Sequence, residues 1–596
     1  MVVPAQLKAA SLERPASLPG GNALFGSDVV AEVLRALAIP FVALNPGASY
    51  RGLHDSLVNH LGNTTPQMLL CLHEEHAVAI AQGWAKVTGA PMAVVVHSNV
   101  GLFHATMAIF NAWCDRMPVL VLGATGPVDA VKRRPWIDWL HTAQDQGALV
   151  RNYVKWDAQP ASPEAAREAL LRAAWMAGTA PMGPVYVNLD AALQEAPLEQ
   201  PLPPLETARF APAMTSAAPA AGVADAVALL RSAAHPLILM GRVTRDPMAW
   251  SRRVALAEAL GAGVVTDLKL GAAFPTDHRL HVAAPGTFAV PETMRAICAA
   301  DVILSLDWVD LAGTLRAAGG GTMPAAKVIQ VSQDHTLHNG WSMDHQGLPP
   351  VDQFLAAEPD PVVTAMLALL GGVDATAIVE TEIETVDAPP PGLINVPLLA
   401  AALRRAVAGR RVSLLHLPIS WDGAAWPFRH PLDFLGGDGG GGIGAGPGIS
   451  VGAALALIGT GRLPVSICGD GDFLMGATAL WTAVHYRIPL LLIVANNRSF
   501  FNDELHQERV ARMRGRPVEN RWIGQRISDP DIDHAGLARA QGATGFGPVT
   551  EAADLEAAFG AAVDVVQAGG VAVVDVHVTP GYTPAMTAAM TRVGAS

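Results

Sequence analysis

Unbroken apolar runs alternate along this chain with longer stretches in which apolar positions return every three or four residues. The runs predict strands over Phe41–Leu44, Met92–His97, Val119–Leu122 and Val185–Leu189, then Leu237–Met240, Val264–Asp267, Val302–Leu306 and Lys327–Val331, and finally Leu463–Cys468 and Leu490–Ala495. Strands this apolar are buried on both faces, as in parallel sheets. The periodic stretches predict helices over Asp28–Leu37, His73–Thr88, Ala105–Ala112, Val223–Ala233 and Met475–Tyr486. Regular alternation of the two implies α/β units, here three Rossmann-like domains with parallel sheets. The expected order is an N-terminal tail (1–25), a first domain (26–195), a linker rich in Pro, Ala and Glu (196–220), and a central domain (221–372). A second linker (373–394), acidic and then Pro389-Pro390-Pro391, leads to a third domain (395–585) and a C-terminal tail (586–596).

Composition narrows the partners. With 51% apolar residues over 596 positions, large cores are possible. A net charge of −13 without a basic block argues against nucleic acid and anionic membrane as partners. No apolar run approaches the length of a membrane-spanning helix. The first 25 residues lack the apolar core of a signal peptide. Cys71, Cys114, Cys298 and Cys468 have no paired spacing and sit among apolar neighbours, which predicts buried, reduced thiols and a cytoplasmic protein.

The chemistry concentrates between Gly469 and Asn497. Gly469-Asp470-Gly471-Asp472 follows one strand and Asn496-Asn497 follows the next, so a carboxylate and an amide both fall at the carboxyl edge of a parallel sheet. Ligands bind at that edge in open α/β folds. Asp470, the Asn497 side chain and the Ser499 carbonyl are hard oxygen donors suited to Mg²⁺, which completes its octahedron with phosphate oxygens and water. The pattern predicts a metal-bound diphosphate site, although Gly-Asp-Gly alone also makes ordinary turns.

Gly-Asp-Gly followed at this distance by Asn-Asn resembles the cofactor fingerprint of thiamine-diphosphate (ThDP) enzymes. Leu72-His73-Glu74-Glu75-His76 with Ala81-Gln82-Gly83-Trp84-Ala85 is similar to the helix that carries that family's catalytic glutamate. The spacing to the glycine selects Glu74 over Glu75. The chemistry needs a buried carboxyl there, bonded to the aminopyrimidine; by the residues alone, Glu74-Glu75 could equally be a solvated helix start. His97-Ser98-Asn99-Val100-Gly101 with Asn111-Ala112-Trp113 is similar to a segment of the benzoylformate decarboxylases. So are Asn45-Pro46-Gly47, Val154-Lys155-Trp156 and Gly183-Pro184-Val185-Tyr186. The resemblance makes His97 a proton-transfer or substrate-orienting residue, where a lone strand-end histidine is otherwise a structural one. Pro46 falls in the turn on the cofactor side.

Gly441-Gly442-Ile443-Gly444 resembles the glycine-rich segment under the aminopyrimidine, with Ile443 as the wedge that bends the cofactor and Gly444 beside it. Pro447-Gly448 departs from the usual apolar run, and the glycines from 436 to 446 could also form a flexible loop. Gly469, Gly471 and Asp472 should lie against the diphosphate. Asp472 departs from the usual Ser or Ala, so its carboxylate must point away or accept a backbone N–H. Phe500, Phe501 and Asn502 fall in the segment that covers the reacting carbon, which makes them substrate contacts. Gln144, in a segment similar to one of the acetolactate synthases, should face the active site as a further catalytic residue. Lys132-Arg133-Arg134 with Trp136 and Trp139 could meet an anionic or aromatic substrate, or form a solvated basic turn.

The resemblance covers the whole chain and implies pyrimidine-binding, central and diphosphate-binding domains. It implies ThDP and Mg²⁺ as cofactors, and a homodimer or homotetramer in which Glu74 of one subunit meets Asp470 of another. It implies a carbon–carbon lyase or transferase, a decarboxylase or carboligase, that breaks or makes the bond next to a carbonyl of a small substrate. Which substrate stays open. The benzoylformate decarboxylases place a second histidine in the central domain, where this chain has Leu306-Asp307-Trp308. Their serine after Asn-Pro-Gly is Ala48 here, followed by Ser49. The Gln-Trp-Gln segment of acetolactate synthases is missing. A lyase or hydrolase of a 1,2-diketone or 2-hydroxyacyl compound, and a flavin-dependent 2-oxo acid oxidase, are the alternatives. FAD could bind the central domain along Asp267–His278.

Overall fold

A computed structural model of the chain describes residues 13–16, 24–213, 216–337, 346–372, 378, 382–384, 386–387, 392–582 and 586–587. Most of the expected tails and of the second linker lie outside these residues. Sixteen strands form three wholly parallel sheets. The first holds β1 (Phe41–Leu44), β2 (Gln67–Leu70), β3 (Met92–Val96), β4 (Val119–Thr125), β5 (Asp157–Ala158) and β6 (Val185–Asp190), in the order β2-β1-β3-β4-β6-β5. The second holds β7 (Pro236–Met240), β8 (Gly263–Val265), β9 (Val302–Leu306), β10 (Lys327–Val331) and β11 (Gln353–Leu355), ordered β11-β10-β9-β7-β8. The third holds β12 (Val412–His416), β13 (Leu463–Gly469), β14 (Leu490–Asn496), β15 (Thr544–Val549) and β16 (Val571–His577), ordered β12-β13-β14-β16-β15. The α/β class with three parallel sheets is the one expected.

Differences from expectation have local causes. The strand expected over Val264–Asp267 stops at Val265, because Asp267 turns the chain by accepting the N–H groups of Lys269 and Leu270. The helix expected over Ala105–Ala112 extends over Ser98–Cys114; the polar Ser98-Asn99 in its first turn hide the apolar period. The single helix expected over Met475–Tyr486 is two, Asp470–Gly476 and Ala479–His485, so the acidic motif is itself helical. Cys71 and Cys468 are buried as expected, but Cys298 is exposed near the end of the helix Pro291–Ala299. All four thiols are free. Among the described residues no helix is long and apolar enough to cross a membrane.

One helix crossing fixes the first domain on the third. The helix Glu74–Thr88 packs on Ala445–Leu457, which is buried along its whole length. A Cβ at Gly83 would come within 2.0 Å of the Ile449 carbonyl oxygen, and one at Gly452 within 1.9 Å of that of Ile80. Only glycine lets the two backbones approach this closely. The central sheet is tied to the first domain by Arg116, whose guanidinium grips both carboxylate oxygens of Asp334 at 2.6 and 2.9 Å. Bidentate pairing of buried groups fixes orientation as well as distance.

Candidate active site

At the edge of the third sheet, β13 ends at Gly469 and the chain enters the helix Asp470–Gly476 at once. Asp470 is 3% exposed. Its Oδ1 accepts the Gly471 N–H at 3.0 Å and its Oδ2 the Ser499 N–H at 3.1 Å. The Ser499 N–H also donates to Asn497 Oδ1 at 2.9 Å, so the Asp470 and Asn497 side chains meet at one amide. Burial pushes the Asp470 carboxyl up to about 6. Asn496, one residue earlier, points elsewhere and donates to Asp575 Oδ1 at 3.1 Å.

Asp472 takes the second of the two courses expected of it and accepts backbone N–H groups. Its Oδ1 accepts the N–H groups of Gly444 (2.6 Å) and Gly446 (3.3 Å), which ties the glycine-rich segment to the motif helix. The glycine run is therefore held at both ends, since Gly440 N–H donates to Asn111 Oδ1 at 3.1 Å. Ile443 is 47% exposed on that segment. Phe500 lies over the turn, where a side chain at Gly471 would strike its ring. Phe501 begins the helix Phe501–Met513 and meets Tyr582, centroids 5.6 Å apart. Asn502 is partly buried in the first turn of that helix.

At the edge of the first sheet, Glu74 opens its helix and is 6% exposed. Its Oε2 stands 3.0 Å from Nδ1 of His104, and the His104 ring stacks on His73 at 4.7 Å. His97, the residue after β3, meets His141 edge-on at 4.6 Å. Its Nδ1 receives the Ser49 N–H at 3.3 Å and lies 2.9 Å from Ser49 Oγ. That oxygen already accepts the Ser98 N–H at 3.1 Å, which leaves the hydroxyl hydrogen for Nδ1. Nδ1 is thereby an acceptor, and the proton of the neutral ring belongs on Nε2. Burial, with His141 beside it, lowers the His97 pKa and keeps the ring neutral. Ala48 and Ser49 form the short turn after Asn45-Pro46-Gly47, and Ser49 is buried.

Gln144 is exposed in its loop, and the glutamine that the fold buries is Gln146, which donates to Ala124 O and Tyr186 Oη. His104 and His141 went unseen in the sequence. No spacing links either to Glu74 or His97, because the contacts are made between separate segments. At Leu306-Asp307-Trp308 the structure places Asp307 against Ser332 Oγ at 2.6 Å, inside the ion network that includes Arg242 and Asp334.

The residues fit ThDP at its two ends, with a donor set for a hard cation and a glycine-rich cradle at one and a buried carboxylate at the other. Beside Lys269–Ala272, in the stretch considered for FAD, the enclosed room is small. The cleft lined by Lys86, Arg242, Arg245, Lys269 and Leu435 encloses about 60 Å³, against the ~300–1,000 Å³ usual for organic ligands.

Residues 25–149, 223–342 and 420–576 match the N-terminal, central and C-terminal domains of thiamine pyrophosphate enzymes. The chain belongs to the ThDP-dependent enzyme family. Its relatives are decarboxylases and synthases, so it is an enzyme. It is 25% identical to a benzoylformate decarboxylase of Pseudomonas aeruginosa over 492 residues, 79% of this chain and 85% of that one. It is likewise 25% identical to the acetolactate synthase isozyme 1 large subunit of Escherichia coli over 498 residues, 80% and 82% of the two chains. The crystal structure of benzoylformate decarboxylase from Polynucleobacter necessarius shares the fold, with a TM-score of 0.76 at 21% identity over 94% of this ThDP enzyme and 99% of that chain.

Proposed function

We propose that this ThDP enzyme uses Mg²⁺ and cleaves or forms the carbon–carbon bond next to the carbonyl of a small 2-oxo acid, in the manner of a benzoylformate decarboxylase. The observation that carries the reading is the pair Glu74 and His97 at one sheet edge, one a buried carboxylate and the other a histidine held neutral. Bound ThDP supplies the electron sink for the broken bond. Asp470, Asn497 and the Ser499 carbonyl hold the metal, while Gly469, Gly471 and Asp472 shape the diphosphate pocket. Ile443 and Gly444 support the aminopyrimidine, and Pro46 borders it. Glu74 bonds the aminopyrimidine and holds its proton. His97 donates an Nε2–H hydrogen bond to the substrate carboxylate, and it protonates the reacting carbon only after taking a solvent proton onto Nδ1, so that the ring starts and ends neutral. Phe500, Phe501 and Asn502 cover the substrate from the third domain, with Ala48 and Ser49 below.

The two half-sites come from different copies of the chain in a homodimer or homotetramer. Leu72 and Phe103 beside Glu74 are 44% and 54% exposed, and Ile443 and Met475 beside the glycine segment 47% and 57%. Apolar groups exposed beside buried catalytic groups are what a subunit interface would cover. Mixing inactive Glu74→Gln and inactive Asp470→Ala chains under subunit exchange tests this, with CO₂ and aldehyde release from a panel of 2-oxo acids as the readout. Hybrid dimers should recover a substantial fraction of wild-type activity. No recovery after proven exchange would place both residues in one chain's site, and a wild-type chain that decarboxylates no 2-oxo acid would remove the substrate class.

A further inference from the structure

Behind the glycine segment, three side chains of different chemistry converge outside the Asp470–Asn497–Ser499 set. His416 ends β12, Cys468 stands next to the last residue of β13, and Asp472 lies in the first turn of the helix that follows. Nδ1 of His416 is 3.8 Å from Oδ2 of Asp472 and 3.9 Å from Sγ of Cys468. All three atoms lie within 4.8 Å of one another. The residues are 7%, 8% and 0% exposed, in the order His416, Asp472, Cys468.

The Asp472 carboxylate is divided. Oδ1 takes two backbone N–H groups, whereas Oδ2 is buried and accepts no hydrogen bond among the described residues. An unpartnered buried carboxylate oxygen is costly, and native structures seldom leave one without a reason. It points into the cluster, and a Cβ at Gly446 would lie 2.2 Å from it and 3.1 Å from Cys468 Sγ. Backbone therefore closes that side. One imidazole faces Asp472, Cys468 and the nearby Asp438.

We propose that His416, Cys468 and Asp472 form a second metal site, separate from the Mg²⁺ donors, that takes a borderline-soft divalent ion with Zn²⁺ as the best match. His416 Nδ1 stands 3.8 and 3.9 Å from the other two donor atoms, spacings that an ion bonded at the ~2.0–2.3 Å of zinc to N, O and S can bridge. Thiolate plus imidazole selects Zn²⁺ or Co²⁺ over Mg²⁺. Binding expels the thiol proton to solvent, while the His416 Nδ1 proton, whose nitrogen stands 3.3 Å from the Ile467 carbonyl oxygen, moves to Nε2. The bound ion clamps β12, β13 and, through Asp472, the glycine segment.

Cobalt titration of the full chain, free of ThDP and under reducing conditions, tests the site without reference to turnover. One equivalent of Co²⁺ should produce a thiolate-to-cobalt band in the near ultraviolet with tetrahedral visible bands. About one proton should be released per ion, and Zn²⁺ should displace the colour. Asp470→Ala should keep the band, Cys468→Ala should lose it, and His416→Gln should weaken Co²⁺ binding at least tenfold. Absence of the band from the wild-type chain overturns the proposal, whether or not the variants fold. So does a band that survives Cys468→Ala or disappears in Asp470→Ala, or unchanged affinity in His416→Gln.

Discussion

At the edge of the third sheet, the polar groups are held by backbone from their own neighbourhood. Asp470 takes the N–H groups of Gly471 and Ser499, Asn497 shares the latter, and Asp472 takes those of Gly444 and Gly446. At the edge of the first sheet they are held by other side chains, Ser49 on His97, His141 on His97 and His104 on Glu74. Backbone donors survive most substitutions, so the first arrangement depends on chain path. The second depends on which side chains stand there. The cofactor end should therefore fail sharply at a few carboxylates, and the substrate end should respond in graded steps at many positions.

The largest effect expected is at Glu74. Glu74→Gln keeps the shape of the group but removes its charge, and turnover should fall by about 10²–10⁴-fold, the range for loss of one acid–base group. ThDP affinity, read by titration of the bound cofactor, should change little. Asp470→Ala should do the reverse, weakening ThDP–Mg²⁺ binding by about 100-fold, or about 3 kcal/mol, with isothermal calorimetry as the check. Similar losses of affinity in both variants would erase the distinction between the two edges.

A smaller effect concerns pH. His534 is 2% exposed and its ring meets Phe473 of the motif helix edge-on at 5.6 Å. Burial, with His577 adding, lowers its pKa to about 4. The unfolded chain, with an ordinary histidine near 6.5, binds the proton first as pH falls. His534 thus costs nothing above pH 6.5, and it withdraws stability between about 6.5 and 4, up to about 3 kcal/mol. His534→Asn should flatten that part of the denaturant-midpoint profile.

The same contrast explains what could be read from sequence. Strands β1 and β9 were legible to the residue, because interior parallel strands are nearly all apolar. The edge strands β2, β5, β11, β12 and β15 were not, since tertiary pairing supplies there what pattern does not, and the central, apolar β16 was missed as well. The Gly469–Asn497 motif was legible because its polar residues end two apolar strands at a recognisable spacing, and Asp472 could be expected to accept a backbone N–H. His104, His141 and the His416–Cys468–Asp472 cluster were not. Each contact joins segments whose separation carries no period, and nothing in a single sequence pairs them.

The smallest effect expected lies at Ser49, and it sharpens the account of the first edge. Ser49 Oγ accepts the Ser98 N–H and turns its own hydrogen to His97 Nδ1. Ser98 is fully buried with φ +43°, a conformation that needs surrounding support. Ser49→Ala leaves the Ser98 N–H without its acceptor and Nδ1 with one donor instead of two, at a cost of about 1 kcal/mol. Donors to Nδ1 favour the neutral ring, so losing one makes His97 more basic. The acid limb of the kcat/KM profile should then move to higher pH by about half a unit to one unit, with a several-fold loss near neutrality. A limb that stays in place would mean that His97 does not titrate in the reaction, and its role would narrow to orienting the substrate.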